Sequence, residues 1–150
     1  MPLLAALLLA LATAQSPDKS ATSVRVYVFT ATAASGEHDE EEKGRLDAVR
    51  DMCDALEKKK GITVVDSPTG ANVTMEVLSR EMRDEPAGAF GGKSITRMGD
   101  TIIRLKVKSG DDESELKGMG QGTWGRAAKD AADRFLKWIA RREPPRLLRS

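Results

Sequence analysis

The 150-residue chain is predicted to fold as a two-layer α/β (α+β) sandwich, in which a mixed or antiparallel sheet of four to five strands carries two helices on one face. Three observations predict this class. Two segments have apolar residues at helical spacing, and several shorter segments alternate apolar with polar residues as strands do. The composition, with 40% apolar and 31% charged residues, suits one cored domain.

Residues 1–14, MPLLAALLLALATA, are mostly Leu and Ala and carry no charged side chain. An apolar core that ends in Ala12, Thr13 and Ala14 is typical of a secretory signal peptide, although no Lys or Arg precedes it. The run is too short for a permanent membrane span, which needs about 20 apolar residues. No cysteine follows it directly, so a lipid anchor is not indicated.

The rest of the chain is expected to form a single α/β domain over 24–142, because 150 residues are too few for two ordinary domains. A polar linker over 15–23 is predicted to precede this domain. Pro144 and Pro145 cannot continue a helix, so 143–150 is predicted to be a disordered basic tail.

The first strand is predicted over Val24 to Thr30, VRVYVFT, where valines alternate with larger side chains. A helix is expected to begin near Glu40 and to end at Gly61, after three lysines placed at the negative end of the helix dipole. Apolar residues three and four apart define its buried face. That face is assigned to Leu46, Val49, Met52, Cys53 and Leu56.

Ile62 to Asp66, ITVVD, is predicted to be a buried strand. Asn72 to Glu81 and Thr101 to Lys108 alternate strictly and predict two half-exposed antiparallel strands. Ser114 to Gly120 is expected to add a short strand. The second helix is predicted over Thr123 to Arg142, with an apolar stripe formed by Trp124, Ala128, Ala131, Ala132, Phe135 and Ile139.

The charge balance argues against a nucleic-acid partner, because 24 basic and 23 acidic side chains nearly cancel. Aromatic residues make up only 4% of the chain, so a platform on which bases stack is not expected. Cys53 is the single cysteine, which rules out an intramolecular disulfide. It is predicted to be a small buried apolar residue.

The stretch Ala87 to Ser94, AGAFGGKS, fits a loose phosphate-loop pattern, and Asp66 ends an apolar strand as a magnesium-binding Asp does. A phosphate loop also needs a helix that begins at its Lys-Ser, so that backbone amides point at the phosphates. A strand is predicted to follow here instead. We therefore expect no nucleotide cofactor.

No other motif predicts chemistry. His38 lies in the acidic run EHDEEE, and metal sites normally gather ligands from several elements at fixed spacing. The carboxylates of Asp111, Asp112 and Glu113 fall in a predicted turn, where acidic residues are common for local reasons. A lone histidine without an orienting partner is a poor base for a nucleophile. We predict no catalytic residue, no metal site and no cofactor.

The order of these segments resembles the small α/β domain of bacterial envelope proteins. The segments are VRVYVFT, a helix ending in KKKGITVVD, ANVTMEVLSRE, TIIRLKVK and AAKDAADRFLKWI. Such domains occur in the curli-secretion channel lipoproteins and at the amino terminus of the Tol translocation protein, and Val64, Val65 and Asp66 match the end of their short strand. The chain lacks the lipidated cysteine of the channel proteins and the propeller domain of the Tol protein. The resemblance implies an extracytoplasmic accessory or assembly module.

The function expected is that of an exported, non-catalytic interaction module of the cell envelope, with an envelope protein as its partner. The alternative is a small secreted hydrolase or nucleotide-binding enzyme. Contact with the partner is assigned to the segment from Met82 to Asp100, because so long a loop is seldom kept without a function, although a disordered hairpin tip is an equal alternative. The predicted partner-binding residues are Phe90, Lys93, Ile95 and Met98.

Cleavage after Ala14 is the first testable prediction. Mass spectrometry of the mature protein, expressed in its own host, should detect a chain that begins at Gln15. Recovery from the cytoplasm of a chain with an intact Met1 would contradict export.

Overall fold

The computed structural model describes residues 23–31, 39–83 and 99–142. The elements in chain order are strand β1 (Val24–Phe29), helix α1 (Asp39–Glu57), strand β2 (Ile62–Val64), a short 3-10 turn (Pro68–Gly70), strands β3 (Val73–Arg83), β4 (Asp100–Ser109) and β5 (Asp112–Gln121), and helix α2 (Trp124–Arg142).

The predicted two-layer α/β class is confirmed. The five strands form one mixed sheet in the order β2-β1-β3-β4-β5. β1 is parallel to both β2 and β3, whereas β3, β4 and β5 are antiparallel neighbours. The two helices pack against each other and against the same sheet, which places both on one face.

The core lies between the sheet and the two helices, because alternate strand residues point toward the helices. Phe135 of α2 is its largest fully buried side chain, and Met52 and Leu56 of α1 are also fully buried. Burying a side chain of this size stabilises the fold by roughly 1.5–3 kcal/mol. The strands contribute Val26, Val28, Val73, Met75, Val77, Ile103, Leu105 and Val107.

The prediction of a buried strand over Ile62 to Asp66 is wrong in its burial. β2 has only three residues, lies at the edge of the sheet, and pairs with β1 alone. Ile62 and Val64 are half-buried, and Thr63 is exposed. An edge strand with a helix on one face only cannot be covered on all sides.

The predicted apolar face of α1 is also partly wrong. The fully buried residues are Ala48, Met52 and Leu56, whereas Leu46 is 54% exposed. At about 100° per residue, Leu46 lies roughly 120° around the helix from Met52, outside the face that meets the sheet. Cys53 lies near the margin of that face and is half-buried, not buried as predicted.

Helix α2 contacts the backbone of β5 directly. Gly118 and Gly120 pair with Ile103 and Thr101, so they occupy the face of β5 that meets α2. A Cβ atom built on Gly118 would lie 2.5 Å from the Cβ of Ala131. Such an approach requires residues without side chains on the strand.

Substitution of Gly118 by Ala should lower the free energy of unfolding by about 1–3 kcal/mol, because the added methyl group has no space beneath α2. Chemical denaturation of the purified protein measures this change.

Gly125→Ala is the matched control, because a Cβ built at Gly125 of α2 has nothing within 4 Å. Helix propensity favours Ala there by up to about 1 kcal/mol, so this variant should be neutral or stabilised. Equal stability of the two variants would contradict the close packing of α2 on β5.

Candidate functional site

A β-bulge in β3 changes which side chains face the helices. Val77 pairs with Leu105, but the next pair joins Ser79 to Arg104, so Leu78 is the extra residue. Before the bulge the odd-numbered residues of β3 face the helices, and after it the even-numbered residues do. Arg80 is thereby turned toward the helices.

The side chain of Arg80 joins three elements and is only 15% exposed. Its Nη1 lies 3.3 Å from Oδ2 of Asp47, and its Nη2 lies 3.2 Å from Oδ2 of Asp51, one turn later on α1. The guanidinium carbon lies 4.1 Å from the ring centre of Trp124, at the start of α2. This Arg80 cluster connects β3, α1 and α2 and holds its charges in mutual contact.

The sheet face away from the helices carries ion pairs between neighbouring strands. Arg104 Nε lies 3.2 Å from Glu81 Oε1, and a hydrogen bond from Ser79, followed by the charge of Arg104, lowers the pKa of Glu81. Lys106 Nζ lies 2.8 Å from Glu113 Oε1, and this bond raises the pKa of Lys106. Exposed pairs of this kind contribute little to the free energy of unfolding.

Two further ion pairs attach α2 to its surroundings. Lys59 Nζ, after α1, lies 2.5 Å from Asp133 Oδ1, and this hydrogen bond lowers the pKa of Asp133. Arg142 donates to the carbonyl of Ser109 at 3.0 Å and to Asp112 at 2.5 Å. Arg142 therefore connects the end of α2 to the turn between β4 and β5.

Within 23–31, 39–83 and 99–142, no three His, Cys, Asp or Glu side chains are grouped as metal ligands. Burial raises the pKa of the Cys53 thiol, and the neighbouring Glu57, Asp54 and Asp66 raise it further. A thiol with a raised pKa is a poor nucleophile at neutral pH.

The predicted partner-binding residues Phe90, Lys93, Ile95 and Met98 lie outside the described residues, as do the AGAFGGKS stretch and His38. The strands on either side of the segment 84–98 are described. β3 and β4 remain paired up to Arg83 and Asp100. We call residues 79–83 and 100–104 the β3–β4 arm.

A groove of about 600 Å³ runs beside β5, which is the last strand of the sheet and has no neighbour on its outer edge among the described strands. Asp130 of α2 lies at this edge and accepts a hydrogen bond from the backbone N–H of Met119 at 2.9 Å. The groove is lined by Ser114, Glu115, Leu116 and Lys117 of β5 and by Asp130, Asp133, Arg134, Lys137, Trp138 and Arg141 of α2.

Neither described helix is both long enough and apolar enough to cross a membrane.

No protein-family model matches the chain, and no curated protein matches it. Among solved structures it is similar to the dodecamer of a PelC point variant from Paraburkholderia phytofirmans, with 10% sequence identity, a TM-score of 0.42, and coverage of 77% of this chain and 86% of that chain. It is also similar to uncharacterized lipoprotein B from Nitrosomonas europaea, with 13% identity, a TM-score of 0.39, and coverage of 78% and 82%. The name of the second protein agrees with the weak resemblance to envelope lipoprotein domains, but likenesses this distant support no functional argument.

Removal of the Arg80 guanidinium should destabilise the fold. In Arg80→Ala, Asp47 and Asp51 lose a shared partner and Trp124 loses its cation, so we expect a loss of about 1–3 kcal/mol in chemical denaturation. Arg80→Lys should fall between this variant and the wild type, because Lys cannot bond two carboxylates in the same planar geometry.

Arg104→Ala is the matched control, since Arg104 also lies 3.2 Å from a carboxylate but is largely exposed. Its loss should cost less than about 1 kcal/mol. If Arg80→Ala costs no more than Arg104→Ala, the Arg80 cluster does not connect the helices to the sheet.

Proposed function

We propose that the protein is exported and serves as a non-catalytic interaction module of the bacterial cell envelope, periplasmic or secreted. Its protein partner binds the segment that connects β3 to β4. The observation that carries this proposal is the β3–β4 arm. Glu81, Met82 and Arg83 are exposed, and Met82 is 58% exposed, yet these residues remain paired with β4. Their partners in β4 include Ile102 and Thr101, which are fully buried, so the exposed side of the arm is the end of β3 that leads into the segment 84–98.

The segment 84–98 has the side chains that protein interfaces use. Phe90, Ile95 and Met98 are large and apolar, and aromatic and Met side chains are enriched in interfaces. Lys93 adds a cation beside them. We assign contact with an envelope protein to these four residues.

The distribution of titratable groups supports binding over catalysis. An enzyme site needs acids, bases or nucleophiles that converge in a pocket with perturbed pKa values. The carboxyl and amino groups with shifted pKa values described here are Glu81, Lys106 and Asp133. A hydrogen bond from Ser79 is the main cause for Glu81, and ion pairs that join two elements are the cause for Lys106 and Asp133. A binding surface requires no such convergence.

Nucleotide binding is the competing function, because AGAFGGKS fits the loose phosphate-loop pattern. β4 begins at Asp100, so only residues 95–99 separate Ser94 from a strand. That interval is too short for a helix of ordinary length, which has about 11 residues. Saturable ATP binding that is lost in Lys93→Ala would favour the enzyme over the interaction module.

Deletion of residues 86–98 should separate binding from folding. It leaves Asp84, Glu85 and Gly99 to join Arg83 to Asp100, and hairpin loops of this length that contain Gly are common. The thermal midpoint should remain nearly unchanged, because Glu81, Met82 and Arg83 beside the deleted segment are already exposed. Chemical cross-linking in envelope preparations, followed by mass spectrometry, should no longer recover the partner found with the wild type.

A variant with Phe90, Lys93, Ile95 and Met98 all changed to Ala should lose the same partner without a change in chain length. Its matched control replaces four exposed charged residues by Ala, three on the helices and one directly after α1: Arg50, Glu57, Lys129 and Lys58. The control should keep the partner. An unchanged set of cross-linked proteins after the deletion would exclude the segment as the binding site.

A further inference from the structure

The outer edge of β5 presents backbone groups that pair with no strand in the described part of the chain. The N–H of Met119 points outward to Asp130, and that of Gly122 points inward to the carbonyl of Gly99. In an antiparallel strand the backbone groups of successive residues point to opposite sides, so Glu113, Glu115 and Lys117 also point outward. Met119 N–H already has Asp130 as its partner, and the other three positions face the groove edge.

Two charged side chains on β5 have no ion-pair partner within the described part of the chain. Lys117 lies opposite Arg104, a residue of the same charge, and Arg104 is bonded to Glu81 on its other side. Glu115 lies opposite Lys106, but Lys106 is bonded to Glu113. Glu115 and Lys117 have opposite charges and lie on the same face of an edge strand. Both side chains can therefore form ion pairs with a neighbouring molecule.

We propose that β5 pairs in antiparallel orientation with β5 of a second copy of this chain, about a two-fold axis at Leu116. This register places Glu115 of each copy opposite Lys117 of the other. The backbone groups of Glu115 and Lys117 point outward, so Glu115 of one copy and Lys117 of the other also exchange backbone hydrogen bonds. A shift of the centre to Glu115 or to Lys117 would place two like charges opposite each other, which is destabilising.

The groove beside β5 is compatible with this partner. The side chain of Leu116 lies on the helix side of the strand, and at the two-fold axis it lies next to Leu116 of the second copy. α2 runs antiparallel to β5, since Asp130 bonds near the end of the strand and Arg142 bonds at its beginning. The two-fold axis therefore brings the Asp130 end of one groove toward the Arg141 end of the other, so the groove charges are also complementary.

Sedimentation velocity over a range of protein concentrations tests the proposal on the mature chain. The wild type should form a dimer whose population rises with concentration and falls with added salt. Lys117→Glu should raise the dissociation constant of the dimer by about tenfold or more. At each of the two contacts it places a new carboxylate opposite Glu115 of the other copy, and the like charges repel. This variant should still fold, since the new carboxylate lies opposite Arg104.

The double variant Glu115→Lys with Lys117→Glu exchanges the two charges and should restore the dimer. Lys58→Glu, a charge reversal of the same type at an exposed residue after α1, should leave the dissociation constant unchanged. Circular dichroism and thermal midpoints confirm that each variant is folded.

Three results would each overturn the proposal: a wild type that stays monomeric at its highest soluble concentration, a dimer that persists in Lys117→Glu, or a double variant that stays monomeric. A strand from a different protein at this edge would give the first of these results. The test is independent of the β3–β4 segment, so deletion of residues 86–98 should not affect self-association.

Discussion

The close packing of α2 on the backbone of β5 is the constraint on which the rest of the arrangement depends. Gly118 and Gly120 remove side chains from the strand, and Ala127 and Ala131 present small ones from the helix, so the two elements are in direct contact. α2 is therefore drawn to the last strand of the sheet. Its Asp130 can reach the outer edge of β5, and the space above β1 and β3 is left to α1.

The second constraint is electrostatic and lies on β3, two strands away from β5 in the sheet. The bulge at Leu78 turns Arg80 from the solvated face of β3 to the helix face. A guanidinium in such a position is tolerated only with partners, because an unpaired buried charge costs several kcal/mol. Asp47 and Asp51 supply the opposite charge, and the face of Trp124 covers the guanidinium plane. The side chain of Arg80 thus fixes β3, α1 and α2 relative to one another.

Both functional proposals rest on surfaces and not on a cleft. The β3–β4 arm exposes Glu81, Met82 and Arg83 while they remain paired with β4, and the edge of β5 has outward backbone groups beside two charges without ion-pair partners in the described ranges. One surface lies at the end of the paired strands β3 and β4, and the other lies along the outer edge of the sheet. A chain that binds a partner at the first could therefore self-associate at the second, which would present two copies of the arm in one assembly.

Local periodicity by itself determined the two helices, all five strands within a few residues, and the two-layer class, because the spacing of apolar residues depends only on backbone geometry. The pair of glycines in Gly118-Met119-Gly120 was a visible sign of a close approach in a predicted strand. Only the tertiary structure decided that β2 and β5 lie at the edges, that Leu46 faces water, and that Arg80 faces the helices. The reason is that strand order and the register shift at Leu78 arise from pairing between residues far apart in the chain. The local spacing of apolar residues does not predict such pairing. Because of the same long-range pairing, Glu115 and Lys117 have no ion-pair partner among the described residues. The sequence alone does not predict this.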